Sequence, residues 1–381
     1  MKNKILNWIK GFSPFLGISV AYFLLILLIT VLFNYYNMDP LAWSHKTNLF
    51  HLLIRWDSIH YLDIVLKGYT GQMVIFPLYP LLVAVFSFFL PSAFSGFLVS
   101  FLSLTVALYY FYKLLRQTGS EETTIRAIIL LLFFPSAMFF SLIYTESLFL
   151  ALLVSFFYYA QKRRWLTAAV IGFLATLTRN VGIFLWPIYL IFLFKALTGD
   201  DLKKKIINLI KEKEFWYSLI IPAGLLLYCL YSFWIVGDFF AFVSGQKGWA
   251  QWRTFMWPGR TLSNFYHFIF FTPASQFDPF NFIRMVIIEG GSFLFLLAST
   301  IYWLIKKDWP YAFFCLFNTL LFSCMFPMLS VNRYTVVIFP IFIFLEKITR
   351  KINWLFYSLI VVFFIFFVFN VYLFSTGAWA G

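Results

Sequence analysis

One short polar segment in an otherwise apolar sequence contains a carboxylate flanked by basic and aromatic side chains. The segment reads Arg55-Trp56-Asp57-Ser58-Ile59-His60-Tyr61 and follows an apolar run over residues 14–33. Charge close to a membrane core costs free energy, and membrane proteins keep it where chemistry or transport needs it. Asp57 is therefore the first candidate for a catalytic residue. Its predicted substrate-binding neighbours are Arg55, Trp56 and His60.

Asp57 is predicted to lie on a helix along the membrane surface, because apolar residues recur around it at roughly helical spacing. On that helix His60 and Tyr61 follow Asp57 at i+3 and i+4 and share its face. A structural role is the alternative, in which Asp57 pairs with Arg55 or His60 and anchors the helix. The density of charged and aromatic groups favours the catalytic role.

A second carboxylate, Glu146, lies in a turn between two apolar runs. Because Thr145 and Glu146 both suit the first turn of a helix, Glu146 could simply cap the helix that follows. A site with two carboxylates requires Glu146 and Asp57 on the same side of the membrane. In such a site Glu146 would orient the acceptor or support Asp57.

The composition of the chain points to a membrane. Of its 381 residues 62% are hydrophobic and 24% aromatic, only 12% are charged, and the mean hydropathy is +0.86. A soluble domain of this length cannot bury so much apolar surface, whereas a helical membrane protein exposes it to lipid. We therefore predict an all-α polytopic protein of the cell membrane. The net charge of +14 lies in short clusters between apolar runs, so topology explains it better than nucleic-acid binding.

Apolar runs predict about eleven transmembrane helices. The runs cover residues 14–33, 94–115, 124–142, 147–160, 165–178, 181–197, 216–236, 282–305, 311–329, 333–346 and 353–374. A further run, 75–90, is short and bounded by prolines, and we predict that it lies on the membrane surface. In that topology the cytoplasmic segments contain 20 of the 29 Lys and Arg residues, whereas a spanning 75–90 would place the Lys203-Lys204-Lys205 cluster outside.

This topology predicts one transmembrane domain, 1–381, with two long extracytoplasmic segments, 34–93 and 237–281. The Lys-rich segment 198–214 is predicted to be a cytoplasmic loop. The first helix follows basic residues and has no small-residue cleavage site, so it is expected to stay uncleaved with a cytoplasmic N-terminus. The sequence shows no convincing internal repeat, which weakens an inverted-repeat transporter interpretation.

Arginine and lysine are distributed unequally between the two predicted sides. On the cytoplasmic side 15 of 20 basic residues are Lys, whereas outside six of nine are Arg. Topology needs only positive charge, but planar bidentate binding of phosphate favours Arg. The outer side is therefore predicted to handle an anion. Its arginines are Arg55, Arg179, Arg253, Arg260, Arg284 and Arg333.

Two of these arginines lie at the ends of apolar runs. Arg179 closes the run 165–178, and Asn332-Arg333-Tyr334 opens the run 333–346. Both arginines could be ordinary snorkelling residues at the membrane interface. Alternatively they clamp a lipid-linked phosphate.

Several motifs taken together resemble the PIG-V family of mannosyltransferases. They are Arg55-Trp56-Asp57, Gly68-Tyr69, Phe76-Pro77-Leu78-Tyr79-Pro80, Pro135-Ser136-Ala137, Phe139-Phe140-Ser141, Tyr144, Glu146-Ser147, Arg179 with Gly182, and Arg333-Tyr334. They extend from residue 55 to about residue 340, and their order is more specific than any one of them. Two positions depart from the family: Gln72 stands where members often have an acidic residue, and Phe134 where they often have Asn.

The resemblance implies a GT-C-like fold, a polyprenyl-phosphate-linked sugar donor and chemistry on the extracytoplasmic face. It also implies an essential acidic residue and interfacial helices in the first outer loop, which matches Asp57 and the run 75–90. A second acidic residue in the next outer loop matches Glu146. The acceptor is expected to be a glycan or glycolipid. Mannose is favoured by the resemblance alone, because no residue distinguishes it from another hexose.

The expected mechanism is inverting, single-displacement sugar transfer with Asp57 as general base. The leaving lipid phosphate needs fixed positive donors, which Arg179 and Arg333 supply first, with Arg253 and Arg260 as further candidates and Tyr334 beside them. A lipid phosphate is already a fair leaving group, so no metal and no cofactor are expected. The three cysteines, Cys229, Cys315 and Cys324, lie in apolar runs and are expected to be packing residues.

Two other classes of protein compete with the enzyme. A transporter or flippase of a lipid-linked saccharide needs polar groups along a path through the bilayer, and Glu289, about two turns into its predicted span, is the main candidate. A structural membrane subunit would leave the outer acidic and arginine side chains without purpose. We expect the enzyme.

Overall fold

The described part of the chain is almost entirely helical. A computed structural model describes residues 2–37, 49–197, 201–246, 254–271, 283–326 and 330–379. The predictions for Arg253 and for parts of the segments 34–93, 198–214 and 237–281 lie outside the described residues.

Residues 2–211 contain nine α-helices among the described residues. They are α1 (Lys2–Asn37), α2 (Asp57–Lys67), α3 (Leu78–Ser87), α4 (Ser92–Leu115), α5 (Glu121–Phe133), α6 (Glu146–Gln161), α7 (Trp165–Thr176), α8 (Leu185–Ala196) and α9 (Leu202–Lys211). Short 3₁₀ helices occupy Leu49–Leu53, Ala137–Ser141 and Asn180–Phe184.

The second half continues in the same way. Its helices are α10 (Lys213–Ser218), α11 (Ile220–Val236), α12 (Ala241–Ser244), α13 (Pro258–Phe271), α14 (Gly291–Ile305), α15 (Trp309–Ser323), α16 (Val331–Thr335), α17 (Pro340–Thr349) and α18 (Asn353–Ser375). A π-helix, Ile283–Gly290, runs directly into α14. Two antiparallel strands, β1 (Thr254–Phe255) and β2 (Met325–Phe326), are the strands of the described residues.

Five helical stretches in the described residues are long and apolar enough to cross a membrane. They are Gly11–Asn34, Ser92–Leu115, Lys213–Val236, Ile283–Ile305 and Asn353–Ser375. The chain is therefore an all-α protein with the helices of a multi-pass membrane protein, as predicted. Other apolar helices of the described residues are shorter, with 10–17 residues, and the number of eleven spans stays a prediction.

Helix α3 corresponds to the short run 75–90. Its ten residues cover about 15 Å at 1.5 Å per residue, half of the roughly 30 Å of hydrocarbon that a span must cross. The length of α3 is thus compatible with the predicted place on the membrane surface.

Two predicted runs are divided in the structure. The run 124–142 is not one helix, because Phe134 precedes Pro135 and a residue before proline is driven out of the helical conformation. The run 333–346 divides into α16 and α17, since Pro340 has no N–H for a continuous helix and instead starts the second one.

The chain forms two compact units. Unit 1 contains the described parts of Met1–Thr70, Pro77–Tyr158 and Thr349–Ala380, and unit 2 contains those of Gly71–Phe76 and Tyr159–Ile348. The single domain 1–381 stays a prediction. In unit 1, α1 packs against α4 and α18, and α3 packs against both α2 and α4.

In unit 2, α7 packs against α11 and α14 packs against α15. The first pair is close because α11 carries Gly224 at the contact. A Cβ at Gly224 would overlap the Thr176 Oγ1 and lie 2.7 Å from the Phe173 carbonyl oxygen. Small residues allow such close helix packing in membranes, where the hydrophobic effect contributes little between helices.

Candidate active site

Asp57 is the first residue of α2, and its side chain is half-buried. The helix predicted at this position is confirmed, and His60 follows half-buried one turn later. Trp56, immediately before Asp57, has a positive φ of 54° with ψ −122°, which L-residues adopt only under constraint. The backbone of Trp56, the residue immediately before the candidate base Asp57, is therefore strained.

Glu146 is the first residue of α6 and has no solvent exposure. A carboxylate at this position complements the positive end of the helix dipole, so the capping role is compatible with the structure. Complete burial of a carboxylate is costly, however, and such groups are found where the protein uses them.

Tyr144, two residues before Glu146, is in direct contact with the backbone of Arg55 within unit 1. The hydroxyl of Tyr144 donates a hydrogen bond to the Arg55 carbonyl oxygen at 3.0 Å. The rings of Tyr144 and Tyr61 are also in contact, with centroids 6.2 Å apart. Tyr144, two residues before Glu146, therefore contacts residues on both sides of Asp57 in the sequence.

Tyr79 extends this aromatic contact. Its ring meets Tyr61 edge-on at 5.1 Å, and its hydroxyl donates to the Gly96 carbonyl oxygen at 3.0 Å and shares a 2.8 Å hydrogen bond with Ser100. Burial raises the pKa of the Tyr79 hydroxyl, the Ser100 hydrogen bond opposes this shift, and the charge of Glu146 adds to it. Tyr79 therefore joins the Tyr61 ring to the polar groups of α4.

Trp56 and Arg55 contact the end of the chain in unit 1. The Trp56 ring, 40% exposed, meets Trp379 edge-on with centroids 5.1 Å apart. A Cβ at Gly377 would lie 3.6 Å from the Arg55 Nη1. Residues near the C-terminus therefore line the segment that precedes Asp57.

In unit 2 the structure brings Arg179 and Tyr334 together. The buried guanidinium of Arg179 lies over the Tyr334 ring, 4.7 Å from its centroid. This contact is a cation–π interaction. Phe322 also packs on Tyr334, stacked with ring centroids 5.7 Å apart and planes 17° apart.

Gly182 allows the segment that follows Arg179 to pack closely against the end of α7. The 3₁₀ helix that follows Arg179 turns back on the end of α7, so that a Cβ at Gly182 would lie 2.5 Å from the carbonyl of Ala175 and 2.6 Å from the Thr176 nitrogen. Only glycine fits such a close approach of two backbones.

Arg333 is the neighbour of Tyr334 on the short helix α16 and is 4% exposed. A snorkelling arginine keeps its charged head in water. The burial of Arg333 therefore argues against the snorkelling alternative. The turn containing Arg333 is held by Glu289, whose carboxylate accepts the N–H of Ser330 at 2.9 Å and of Asn332 at 2.8 Å.

Among the described residues, the predicted ligand Arg260 does not join these groups. Arg260 is exposed on α13, and Arg253 lies outside the described residues. Within the described part of the chain, no group of three or more His, Cys, Asp or Glu side chains could hold a metal ion, and the metal-independent mechanism stays a prediction.

Several residues that contact the candidate residues were absent from the predicted site. Tyr79 and Tyr144 belong to the motifs that carry the family resemblance, so the sequence contained a signal for them. Trp379 lies more than 300 residues from Trp56 and has no sequence signal. Glu289 was assigned to the competing transporter.

Asp57 and Glu146 belong to unit 1, whereas Arg179, Arg333 and Tyr334 belong to unit 2. The carboxylates are suited to proton transfer, and the arginines to binding an anion. The resemblance to the PIG-V family has no further support, because no protein-family model and no curated protein matches the sequence.

Proposed function

We propose that the protein is a membrane glycosyltransferase that moves a hexose from a polyprenyl-phosphate donor to an extracytoplasmic glycan or glycolipid acceptor. The proposal includes a GT-C-like bundle of about eleven transmembrane helices, with α2 and α3 as interfacial helices. Mannose is the hexose that the family resemblance favours.

The observation that carries the proposal is the direct contact between the segments of the two carboxylates. Asp57 and Glu146 each begin a helix, and the Tyr144 hydrogen bond to the Arg55 carbonyl joins the residues that precede them. A half-buried Asp57 can reach a substrate, whereas the fully buried Glu146 is suited to support it.

In the proposed reaction the acceptor hydroxyl oxygen attacks the anomeric carbon while the bond from that carbon to the phosphate oxygen breaks. Asp57 takes the hydroxyl proton as general base, so one displacement inverts the anomeric configuration. The leaving group is the polyprenyl phosphate, whose developing charge Arg179 and Arg333 are proposed to stabilise. No step requires a metal.

The transporter or flippase is less well supported. Its main acidic group inside a predicted span, Glu289, has both carboxylate oxygens occupied by backbone N–H groups of Ser330 and Asn332. That arrangement is typical of a group that holds structure, and it does not favour a role in a polar path.

The direct test is sugar transfer by the purified protein. Labelled polyprenyl-phosphate mannose and polyprenyl-phosphate glucose are supplied with a total membrane glycan and glycolipid extract, and label is followed into products other than donor and free sugar. Because general bases contribute about 10²–10⁴-fold, we expect Asp57→Asn to lower transfer by that factor.

Asp63 provides a matched control on the same helix. It forms a partly exposed pair with Lys67 at 2.9 Å, and such pairs contribute little to stability. Asp63→Asn should therefore keep wild-type transfer. Equal activity of Asp57→Asn would remove Asp57 as base, and no transfer from either donor would contradict the glycosyltransferase proposal.

A further inference from the structure

We propose that Glu289 is a positioning residue for the phosphate-binding arginines of unit 2. Its carboxylate holds the turn that carries Arg333 and Tyr334, and through Tyr334 it also sets the environment of Arg179. This inference rests on the proposed function, because it assigns Glu289 to the donor phosphate site of the same enzyme.

The turn at residues 330–334 needs stabilising contacts from residues outside it. Helix α16 has only five residues, and helices so short are not stable by themselves in the absence of tertiary contacts. Ser330, which precedes it, adopts the left-handed conformation with φ 65° and ψ 15°, a strained state for a residue other than glycine. The first N–H groups of the helix have no acceptor within the helix.

Glu289 meets these needs with both oxygens. Oε1 accepts the Ser330 N–H at 2.9 Å, and Oε2 accepts the Asn332 N–H at 2.8 Å. Bonds to an ionised acceptor are roughly twice as strong as neutral ones. The carboxylate is 1% exposed, so water does not compete for these bonds.

The turn that Glu289 stabilises, residues 330–334, also carries Arg333 and the ring on which Arg179 rests. Arg333 and Tyr334 follow Asn332 directly, and the Arg179 guanidinium rests on the Tyr334 ring at 4.7 Å. A shift of the turn would therefore move Arg333 and remove the ring beneath Arg179 together. Glu289 would therefore act on both arginines indirectly, through its hydrogen bonds to backbone N–H groups of the turn.

The local helix geometry at Glu289 is also unusual. Residues Ile283–Gly290 form a π-helix, a rare arrangement that occurs frequently at functional sites. A buried carboxylate in a predicted span is costly, and a purely structural turn could be held by uncharged caps. The charge and the wide helical turn together indicate that the position of residues 330–334 matters for function.

The test is Glu289→Gln, which keeps the side-chain shape but turns an N–H donor toward a backbone N–H. We expect the KM for the polyprenyl-phosphate sugar to rise about 10–100-fold, the effect of losing one charge-assisted hydrogen bond, with kcat changed less than about threefold. The Kd for labelled polyprenyl phosphate without sugar should rise by the same factor.

Two further variants separate positioning from general stability. Ser330→Gly removes the left-handed strain, because glycine adopts φ 65° freely, and in the Glu289→Gln background it should restore part of the affinity. Glu346→Gln, at the second buried glutamate of unit 2, should leave KM and Kd unchanged. If Glu289→Gln does not fold, Glu289→Asp replaces it in the same measurements.

The binding assay also separates this inference from the proposed function. Polyprenol and inorganic phosphate serve as competitors, so that recognition of a lipid phosphate can be distinguished from recognition of lipid or free phosphate. A wild-type protein that does not bind polyprenyl phosphate contradicts the proposed function itself. Wild-type binding with an unchanged Kd in Glu289→Gln, or an effect confined to thermal stability, overturns the role of Glu289 alone.

Discussion

At the scale of single residues, two of the four non-glycine residues with positive φ in the described chain lie beside candidate residues. Trp56 has a positive φ and stands directly before Asp57; Ser330 also has a positive φ and directly precedes the short helix that carries Arg333 and Tyr334. Such conformations cost about 1–3 kcal/mol each and persist where surrounding contacts impose them. In both cases the structure has such contacts: Trp379 packs on Trp56, and the Glu289 carboxylate accepts the Ser330 N–H.

The residue-scale prediction concerns Arg179. A lysine presents a point charge instead of a planar fork, so Arg179→Lys should weaken donor binding by about 1.5–3 kcal/mol if the guanidinium clamps phosphate. Donor-dependent kinetics and the thermal midpoint in detergent are measured together, and the midpoint should change little. The control is Arg164→Lys, an exposed arginine of the same unit.

Full activity of Arg179→Lys would mean that Arg179 is a snorkelling or packing residue, because lysine also reaches the interface and keeps the charge. The same exchange at Arg333 tests the second proposed ligand. If both variants keep wild-type donor kinetics, the exposed Arg260 becomes the next candidate for the phosphate.

At the scale of elements, short helices carry the candidate residues. Asp57 starts the 11-residue α2, Tyr79 lies on the ten-residue α3, and Arg333 lies on the five-residue α16. Each is too short to cross a bilayer alone. Tertiary contacts rather than helix length must therefore hold them, as the Tyr61–Tyr79 ring contact and the Glu289 hydrogen bonds do.

The element-scale prediction concerns Gly182. Gly182→Ala would place a Cβ 2.5 Å from the Ala175 backbone, so the 3₁₀ helix after Arg179 must move away from α7. Overpacking of this kind typically costs about 1–3 kcal/mol. We expect a lower thermal midpoint and weaker donor binding.

Gly291 is the matched control for this prediction. It lies in the same unit on α14, and a Cβ there meets nothing within 4 Å, so Gly291→Ala should be neutral or slightly stabilising. Equal stability and equal donor affinity of Gly182→Ala and Gly291→Ala would show that the close approach at Gly182 has no role.

At the scale of the whole molecule, charge asymmetry governs the predicted orientation. Fifteen of the 18 lysines lie in segments assigned to the cytoplasmic side, whereas six of the 11 arginines lie on the other side. The interpretation depends on whether α3 crosses the membrane, since a crossing would invert every later segment.

The whole-molecule prediction is tested by labelling single cysteines in intact cells with an impermeant thiol reagent. In a background without Cys229, Cys315 and Cys324, a cysteine at the exposed Thr70 should be labelled, and one at the exposed Lys204 only after permeabilisation. Labelling at Lys204 in intact cells would place α9 outside and contradict the surface position of α3.

The sequence alone determined the membrane class, because 62% hydrophobic residues in long runs leave no soluble alternative. It also placed Asp57 on a helix and offered Glu146 as a cap of the helix that follows, and the structure has both residues in the first turn of a helix. It failed at the run 333–346, which it predicted as one helix, because periodicity outweighed the signal of Pro340.

Only the tertiary structure decided which side chains meet. Tyr144 and Arg55 are 89 residues apart in the chain, and Ser330 and Glu289 are 41 apart, so neither pairing leaves a local pattern in the sequence. A local pattern reports the period of one helix, whereas a hydrogen bond between distant residues depends on how several helices pack. The same limit explains why Glu289 looked like a polar group in a transport path until its two backbone partners were known.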